Sequence, residues 1–170
     1  DPLEKDRWET AYAGLDTARE LYSGSASVVV AVLDTGVARN HEDLAGANIL
    51  EGFDATAGVA GVYGDSTGHG TAVIGIIAAS VGNGVGVAGI CADVSVYPVK
   101  VASGSGSIYS SDLIAGIYAA ADYGADIINI SLGGYSYSVA EQNAIDYAVS
   151  KGCIIIAAAG NDGEIGRAHV

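Results

Sequence analysis

The sequence predicts an α/β protein, a mostly parallel sheet between helical layers. Three observations carry this. Val28–Leu33 is an unbroken, valine-rich apolar run, which suits a strand buried on both faces. Strand-like runs then alternate with helix-like stretches at 69–79, 110–123 and 138–151, the alternation that builds parallel sheets with helical crossovers. Finally, the strands at 28–33, 126–131 and 153–159 exit into Asp34, Ser131-Leu132-Gly133-Gly134 and Gly160-Asn161. In open parallel sheets, chemistry gathers at such carboxyl ends.

The elements follow in order. Residues 1–24 are polar and partly helical in pattern, with Trp8, Tyr12, Leu15 and Leu21 as expected anchors. Ser23-Gly24-Ser25 closes this segment, and the first buried strand leaves at Asp34-Thr35-Gly36. A polar turn at 39–43 leads to a short strand near 47–53, then to a glycine-rich loop at 58–68. His69 opens a stretch that is apolar almost all round to Ala79, which reads as a buried helix. Another glycine-rich loop spans 82–89. The strand at 94–101 contains Pro98, an objection because proline removes a ladder donor. A flexible loop at 103–107 precedes an amphipathic helix at 110–123, closed by Gly124 as its C-cap. After the strand at 126–131, Ser138-Val139-Ala140-Glu141 is a capping box. It starts a helix that Gly152 stops near Lys151. The last strand, 153–159, leaves at Gly160-Asn161-Asp162-Gly163.

The 170 residues suffice for a single domain, 1–170, with a sizeable core. A net charge of −13 with 7 Lys plus Arg argues against nucleic acid and against an anionic membrane surface as partners. No apolar run reaches the roughly 18–20 residues of a membrane-spanning helix. Asp1-Pro2-Leu3-Glu4 has no signal-peptide character and no methionine is present, so a mature, processed or cut piece is expected. Cys91 and Cys153 lie in apolar settings and are expected to be free thiols. His41 and His169 read as surface residues. The ten tyrosines look scattered, unlike a base-stacking platform.

Taken together, Asp34-Thr35-Gly36, His69-Gly70-Thr71, Ser131-Leu132-Gly133-Gly134 and Ala157-Ala158-Ala159-Gly160-Asn161 come in this order on these elements. Over residues 25–163 the chain resembles the subtilisin-like serine proteases. The resemblance implies a secreted serine endopeptidase acting on peptides or proteins. His69 would be the general base, Asp34 the carboxylate that orients it, and Asn161 the donor to the oxyanion. It also implies that Ser131-Leu132-Gly133 and Gly106-Ser107-Ile108 wall the substrate cleft and take an extended peptide by strand addition. A structural calcium is implied at Asp43 and the loop carrying Asn83, Val85 and Val87, a mixed oxygen set that suits that ion.

Two departures stand out. Ala72 occupies a position where the family often has a second histidine. The nucleophile's Gly-Thr-Ser motif does not occur. The fold is therefore expected to be incomplete at its carboxy-terminal side, with the serine on a missing segment of the same protease or on a second chain. The isolated chain is expected to be inactive. The alternative is a non-catalytic, protease-like module that only binds peptides. Asp-Thr-Gly is also the aspartic-protease signature, but that chemistry needs two carboxylates sharing a proton, and the helical stretches do not suit an all-β fold. Gly84-Val85-Gly86-Val87-Ala88-Gly89 fits a dinucleotide fingerprint. However, it follows a helix and precedes a strand, the reverse of what that fingerprint requires.

Overall fold

The computed structural model describes residues 1–62, 64–134 and 136–161; Asp162, Gly163 and His169 lie outside them. The strands are β1 (Val29–Asp34), β2 (Asn48–Ile49), β3 (Phe53–Asp54), β4 (Val59–Ala60), β5 (Ser95–Lys100), β6 (Ile127–Ile130) and β7 (Ile154–Ala157). They form one sheet in the order β4-β3-β5-β1-β6-β7, with β2 also paired to β5. Every pairing is parallel except β3 with β4.

The strand expected near 47–53 is broken in two, and β5 supplies the reason. Ser95 N and Val101 N donate to β1, at Val28 O and Asp34 O, whereas Val96 O accepts from Leu50 N on the other side. Alternation along β5 therefore turns the missing N–H of Pro98 toward β2 and β3. There the chain detours through Gly52 (φ 82°), where a Cβ would come 2.2 Å from Pro98 O. Arg39 covers the break: its guanidinium donates to the carbonyls of Ile49, Leu50, Glu51 and Val62. The loop expected at 58–68 also begins as β4, which turns back on β3.

The helices are α1 (Trp8–Tyr12), α2 (Leu15–Leu21), α3 (His69–Ala78), α4 (Ser110–Tyr123) and α5 (Val139–Ser150). The pleat sorts β1 between two cores. Val30 and Val32 pack with Val96 and with Ile74 and Ala78 of α3. Ala31 and Leu33 pack on the opposite face with Ile117 and Ala120 of α4 and Ala144 and Ala148 of α5. Gly124 (φ 90°) caps α4, and the Ser138 hydroxyl accepts from Glu141 N at 3.3 Å, as the sequence predicts.

Three expectations change. The α3 helix is buried only at Gly70, Ile74 and Ala78, and Ile76 is exposed: one face meets the sheet and the other meets no layer among the described residues. Trp8 (74% exposed) and Tyr12 (87%) are not anchors, and neither is the exposed Leu21. The segment docks through polar bonds to the loop at 82–88 instead: Leu3 N donates to Gly86 O, and Arg7 Nη1 to Ala88 O at 2.6 Å. Ala88 N in turn donates to Glu4 Oε2 at 3.0 Å. Finally, the tyrosines are not all scattered. Tyr97 stacks on Tyr123 at 3.9 Å, and Tyr118 packs against Tyr147. Cys91 and Cys153 are free, and Cys153 is buried.

Candidate active site

The strand β1 lies between β5 and β6, and it is a topological switch point. The chain leaves β1 toward the α3 face of the sheet and leaves β6 toward the α4–α5 face. Adjacent strands whose connections diverge in this way open a crevice at their carboxyl ends. Asp34, the last residue of β1, sits there.

Asp34 is buried. Its Oδ1 lies 2.7 Å from His69 Nδ1 and accepts from Thr35 N at 2.7 Å. Its Oδ2 is buried with no partner among the described residues. His69 is the first residue of α3, and its side chain is 54% exposed. A carboxylate can only accept, so it selects the tautomer with hydrogen on Nδ1. Nε2 then carries the lone pair.

The amino end of α3 is capped by residues from elsewhere, because its own N-cap is Gly68 (φ 83°) with no side chain to offer. Its first N–H groups still all find acceptors. His69 N reaches Thr67 Oγ1 (3.4 Å), Gly70 N reaches Thr35 Oγ1 (2.9 Å), Thr71 N reaches Asp65 Oδ2 (2.9 Å) and Ala72 N reaches Gly68 O (3.0 Å). Asp65 is the hub. Its Oδ1 accepts from Thr35 Oγ1 (2.8 Å), Gly68 N (2.9 Å), Thr67 N and Thr67 Oγ1 (both 3.1 Å), and its Oδ2 also accepts from Thr71 Oγ1 (2.7 Å). Burial pushes the Asp65 carboxyl up, but the bonds from Thr71, Thr35 and Gly68 outweigh it and hold the group well below the usual carboxylate range. Lys100, at the end of β5, donates to Thr35 O at 2.9 Å. A cleft of about 610 Å³ lies beside this hub, lined in part by Asp54, Gly64, Ser66 and Gly104.

The two expected cleft walls leave β5 and β6, on either side of Asp34. The segment expected to be a flexible loop at 103–107 is a tied turn. Ser103 N donates to Ser107 O at 2.8 Å, Gly106 N to Ser103 O at 2.9 Å, and Ala102 bridges Ile108 antiparallel. On the other side, Ser131 and Leu132 are half-buried and Gly133 is exposed. Ser131 Oγ accepts from Asn129 Nδ2 at 2.9 Å. Asn161 lies just past the end of β7, at the same edge of the sheet. It is exposed and makes no hydrogen bond to Asp34 or His69 among the described residues.

The expected calcium residues do come together. Asp43 is buried, with Oδ1 accepting from Asn83 Nδ2 (3.0 Å) and Oδ2 from Val87 N (2.9 Å). Asn83 Oδ1 accepts from Val85 N at 2.8 Å. Gly86 (φ 46°) lets the loop close over the carboxylate, since a Cβ there would stand 2.0 Å from Asp43 Oδ2. Asp1 grips the same loop from outside, accepting from Gly82 N and Gly84 N at 2.9 and 3.1 Å. Among the described residues no group of three or more His, Cys, Asp or Glu is placed to hold a metal. Any cation here would rely on amide and carbonyl oxygens beside one carboxylate.

Sequence reasoning missed Asp65, and it quoted Thr35 and Thr71 within their motifs without giving them a role. The signal for Asp65 was a carboxylate followed by small polar residues just ahead of His69, the composition of a helix cap.

Residues 25–169 match the model of the Subtilase family. Subtilisin DY of Bacillus licheniformis is 42% identical over 148 residues, covering 85% of this chain and 51% of that protein. The thermophilic serine proteinase of Bacillus sp. (strain AK1) is 39% identical over 87% of this chain and 36% of its own length. Among solved structures, the S41 psychrophilic protease superposes with a TM-score of 0.77 at 40% identity, covering 84% of this chain and 48% of that one. Sphericase gives 0.77 at 39% identity over the same shares. The chain thus spans about half the length of several relatives it matches. The paired Asp34 and His69, on a parallel sheet of this order, fall inside the matched residues, and the chain belongs to the subtilase family.

Proposed function

We propose that this chain supplies the acid–base half of a serine endopeptidase catalytic domain, with the nucleophilic serine on a segment outside these residues. The observation that carries the proposal is the 2.7 Å contact between His69 Nδ1 and the buried Asp34 carboxylate. His69 Nε2 takes the proton of the serine hydroxyl as the oxygen attacks the peptide carbonyl. Asp34 holds the ring and stabilises the imidazolium that forms. Nε2–H then returns the proton to the leaving amine, and a water repeats the cycle on the acyl-enzyme. The Asn161 side-chain amide donates to the tetrahedral oxyanion. The walls at Gly106-Ser107-Ile108 and Ser131-Leu132-Gly133 bind the substrate as an added strand.

Two features support a remainder of the same protease as the partner. The chain spans about half of subtilisin DY and of the two solved structures and 36% of the thermophilic proteinase, and β7 presents Ile154 (59% exposed) and Ile156 (51%) on its α3-side face. Asp43 now accepts from Asn83 Nδ2 and Val87 N, and the hard oxygens of this closed loop would suit calcium once the Asn83 amide turned its oxygen inward. Asp43, Asn83 and the carbonyls of Val85 and Val87 would hold it, and its role would be to stiffen the loop. A secreted location goes with this reading.

The test is labelling by a serine-directed phosphonate together with a peptide-ester assay. Both are run on the 170-residue chain and on the chain joined to the second half of a related subtilase. Labelling and hydrolysis only in the joined form, lost in His69→Ala, is the expected result. Hydrolysis by the chain alone, or activity that survives His69→Ala, overturns the proposal. Peptide binding without labelling in either form identifies a non-catalytic binding module.

A further inference from the structure

We propose that Asp65 is the positioning residue of this site: its carboxylate ties the exit of β1 to the start of α3 and so fixes the Asp34–His69 hydrogen bond. This rests on the active-site reading above.

Asp34 and His69 belong to different elements, and their own bond cannot set the distance between a strand and a helix. Asp65 makes no hydrogen bond to either. It bonds instead to their neighbours. Thr35, next to Asp34, gives its hydroxyl hydrogen to Asp65 Oδ1 at 2.8 Å, and the same hydroxyl oxygen accepts from Gly70 N, next to His69, at 2.9 Å. One side chain thus joins the residue after Asp34 to the residue after His69, and Asp65 orients it. The second oxygen holds Thr71 through both its N–H (2.9 Å) and its hydroxyl (2.7 Å). The Thr71 hydroxyl accepts in turn from Ala38 N at 2.9 Å, on the segment that follows β1. Both oxygens therefore reach α3 and the β1 exit at once.

Only an ionised carboxylate satisfies this set. All six bonds come from donors, four shared on Oδ1 and two on Oδ2, and an ionised carboxylate accepts at both oxygens with no hydrogen of its own. An asparagine would turn an NH₂ toward N–H and O–H donors on one side. The low protonation tendency of Asp65 agrees with this. A role limited to capping α3 would need only the bonds to Gly68 and Thr71. The link through Thr35 is what a positioning role adds.

The test reads the Asp34–His69 bond directly, by proton NMR of the full chain, and does not depend on hydrolysis. With Nδ1 2.7 Å from Asp34 Oδ1, donor to acceptor, the His69 Nδ1 proton is expected to give a low-field signal that His69→Ala removes. Asp65→Asn and Thr35→Val are expected to broaden or abolish that signal while circular dichroism shows a folded chain. Thr35→Ser, which keeps the hydroxyl, is expected to retain it. In the joined form, Asp65→Asn should lower kcat about tenfold or more with KM changed less than about twofold, because misplacement of reacting groups by about 1 Å can cost about 10²-fold. If Asp65→Asn does not fold, Thr35→Val against Thr35→Ser decides. An unchanged signal in folded Asp65→Asn or Thr35→Val overturns the positioning role and leaves the active-site reading standing. Absence of the signal from the unsubstituted chain removes the Asp34–His69 pair, and both readings fall.

Discussion

Gly70 packs directly on Gly36: a Cβ built on Gly70 would stand 2.3 Å from the Gly36 carbonyl oxygen and 3.1 Å from Asp34 Cβ. Gly36 is itself pressed from the other side, since a Cβ there would come 2.1 Å from Gly64 O, and its φ is 123°. The glycines of Asp34-Thr35-Gly36 and His69-Gly70-Thr71 are thus what lets strand and helix approach closely enough for the carboxylate to meet the imidazole.

Gly70→Ala should force α3 away from β1. The opposing atom is backbone, which cannot rotate aside, so overpacking by about 1–3 kcal/mol is expected. Urea unfolding of the two chains measures it. The same variant should lose the low-field His69 proton. A midpoint within error of the parent would show that the approach is looser than this packing requires.

Acid should weaken the Asp65 clamp. Its folded carboxyl is held below the ordinary aspartate value of 3.8. A depressed folded pKa contributes stability that is fully present above the unfolded value and is lost as pH falls through the folded one. The stability gap between the parent and Asp65→Asn is therefore expected to be constant from neutral pH to about pH 5 and to shrink below about pH 4. Urea midpoints at pH 7, 5 and 3 test the sign, and a gap that widens toward pH 3 contradicts it.

What the sequence disclosed depended on whether the signal was local. The run at Val28–Leu33, the Gly124 C-cap and the Ser138 cap are written in neighbouring residues, and all three appear as expected. The break between β2 and β3 is not local. It depends on which side of β5 the missing N–H of Pro98 faces, and that is fixed only once β1 takes the other side. Large apolar side chains in a polar segment suggest anchors, but Trp8, Tyr12 and Leu21 stay exposed because this segment docks through Arg7, Glu4 and backbone bonds. Asp34 and His69 were legible from their motifs. Asp65 was legible only as a cap, because its further meaning lies in joining its own neighbours, Thr67–Thr71, to Thr35, 30 residues upstream.

Calcium should raise the melting temperature of the chain, and chelation should lower it. Binding only to the folded form adds about 2.7 kcal/mol at 100 times the dissociation constant. Asp43→Asn, which keeps the shape but removes the charge, should abolish the response, and so should Gly86→Ala by pushing a methyl group into the carboxylate. Thermal scans with calcium and with a chelator check this. Identical curves under both conditions would mean that the loop closes on its N–H donors alone.

The outer face of β7 should separate the chain alone from the chain with its proposed remainder. Ile155 packs toward the α4–α5 core, so the alternating Ile154 and Ile156 lie on the opposite face, where no helix covers them among the described residues. Their register neighbours on β6 are Ile127 and Asn129, and Ile127 packs with the α3-side core. Ile156→Lys should therefore change the stability of the 170-residue chain by no more than about 0.5 kcal/mol, as for an ordinary surface position. It should also reduce self-association at this edge, which pairs only with β6 among the described residues, because an inserted lysine blocks strand addition. In the joined form the same lysine would be covered by apolar surface, and unpaired charge burial should cost several kcal/mol. Urea unfolding of both forms, with sedimentation of the chain alone, tests the contrast. An equally small effect in the joined form would show that the remainder does not cover this face.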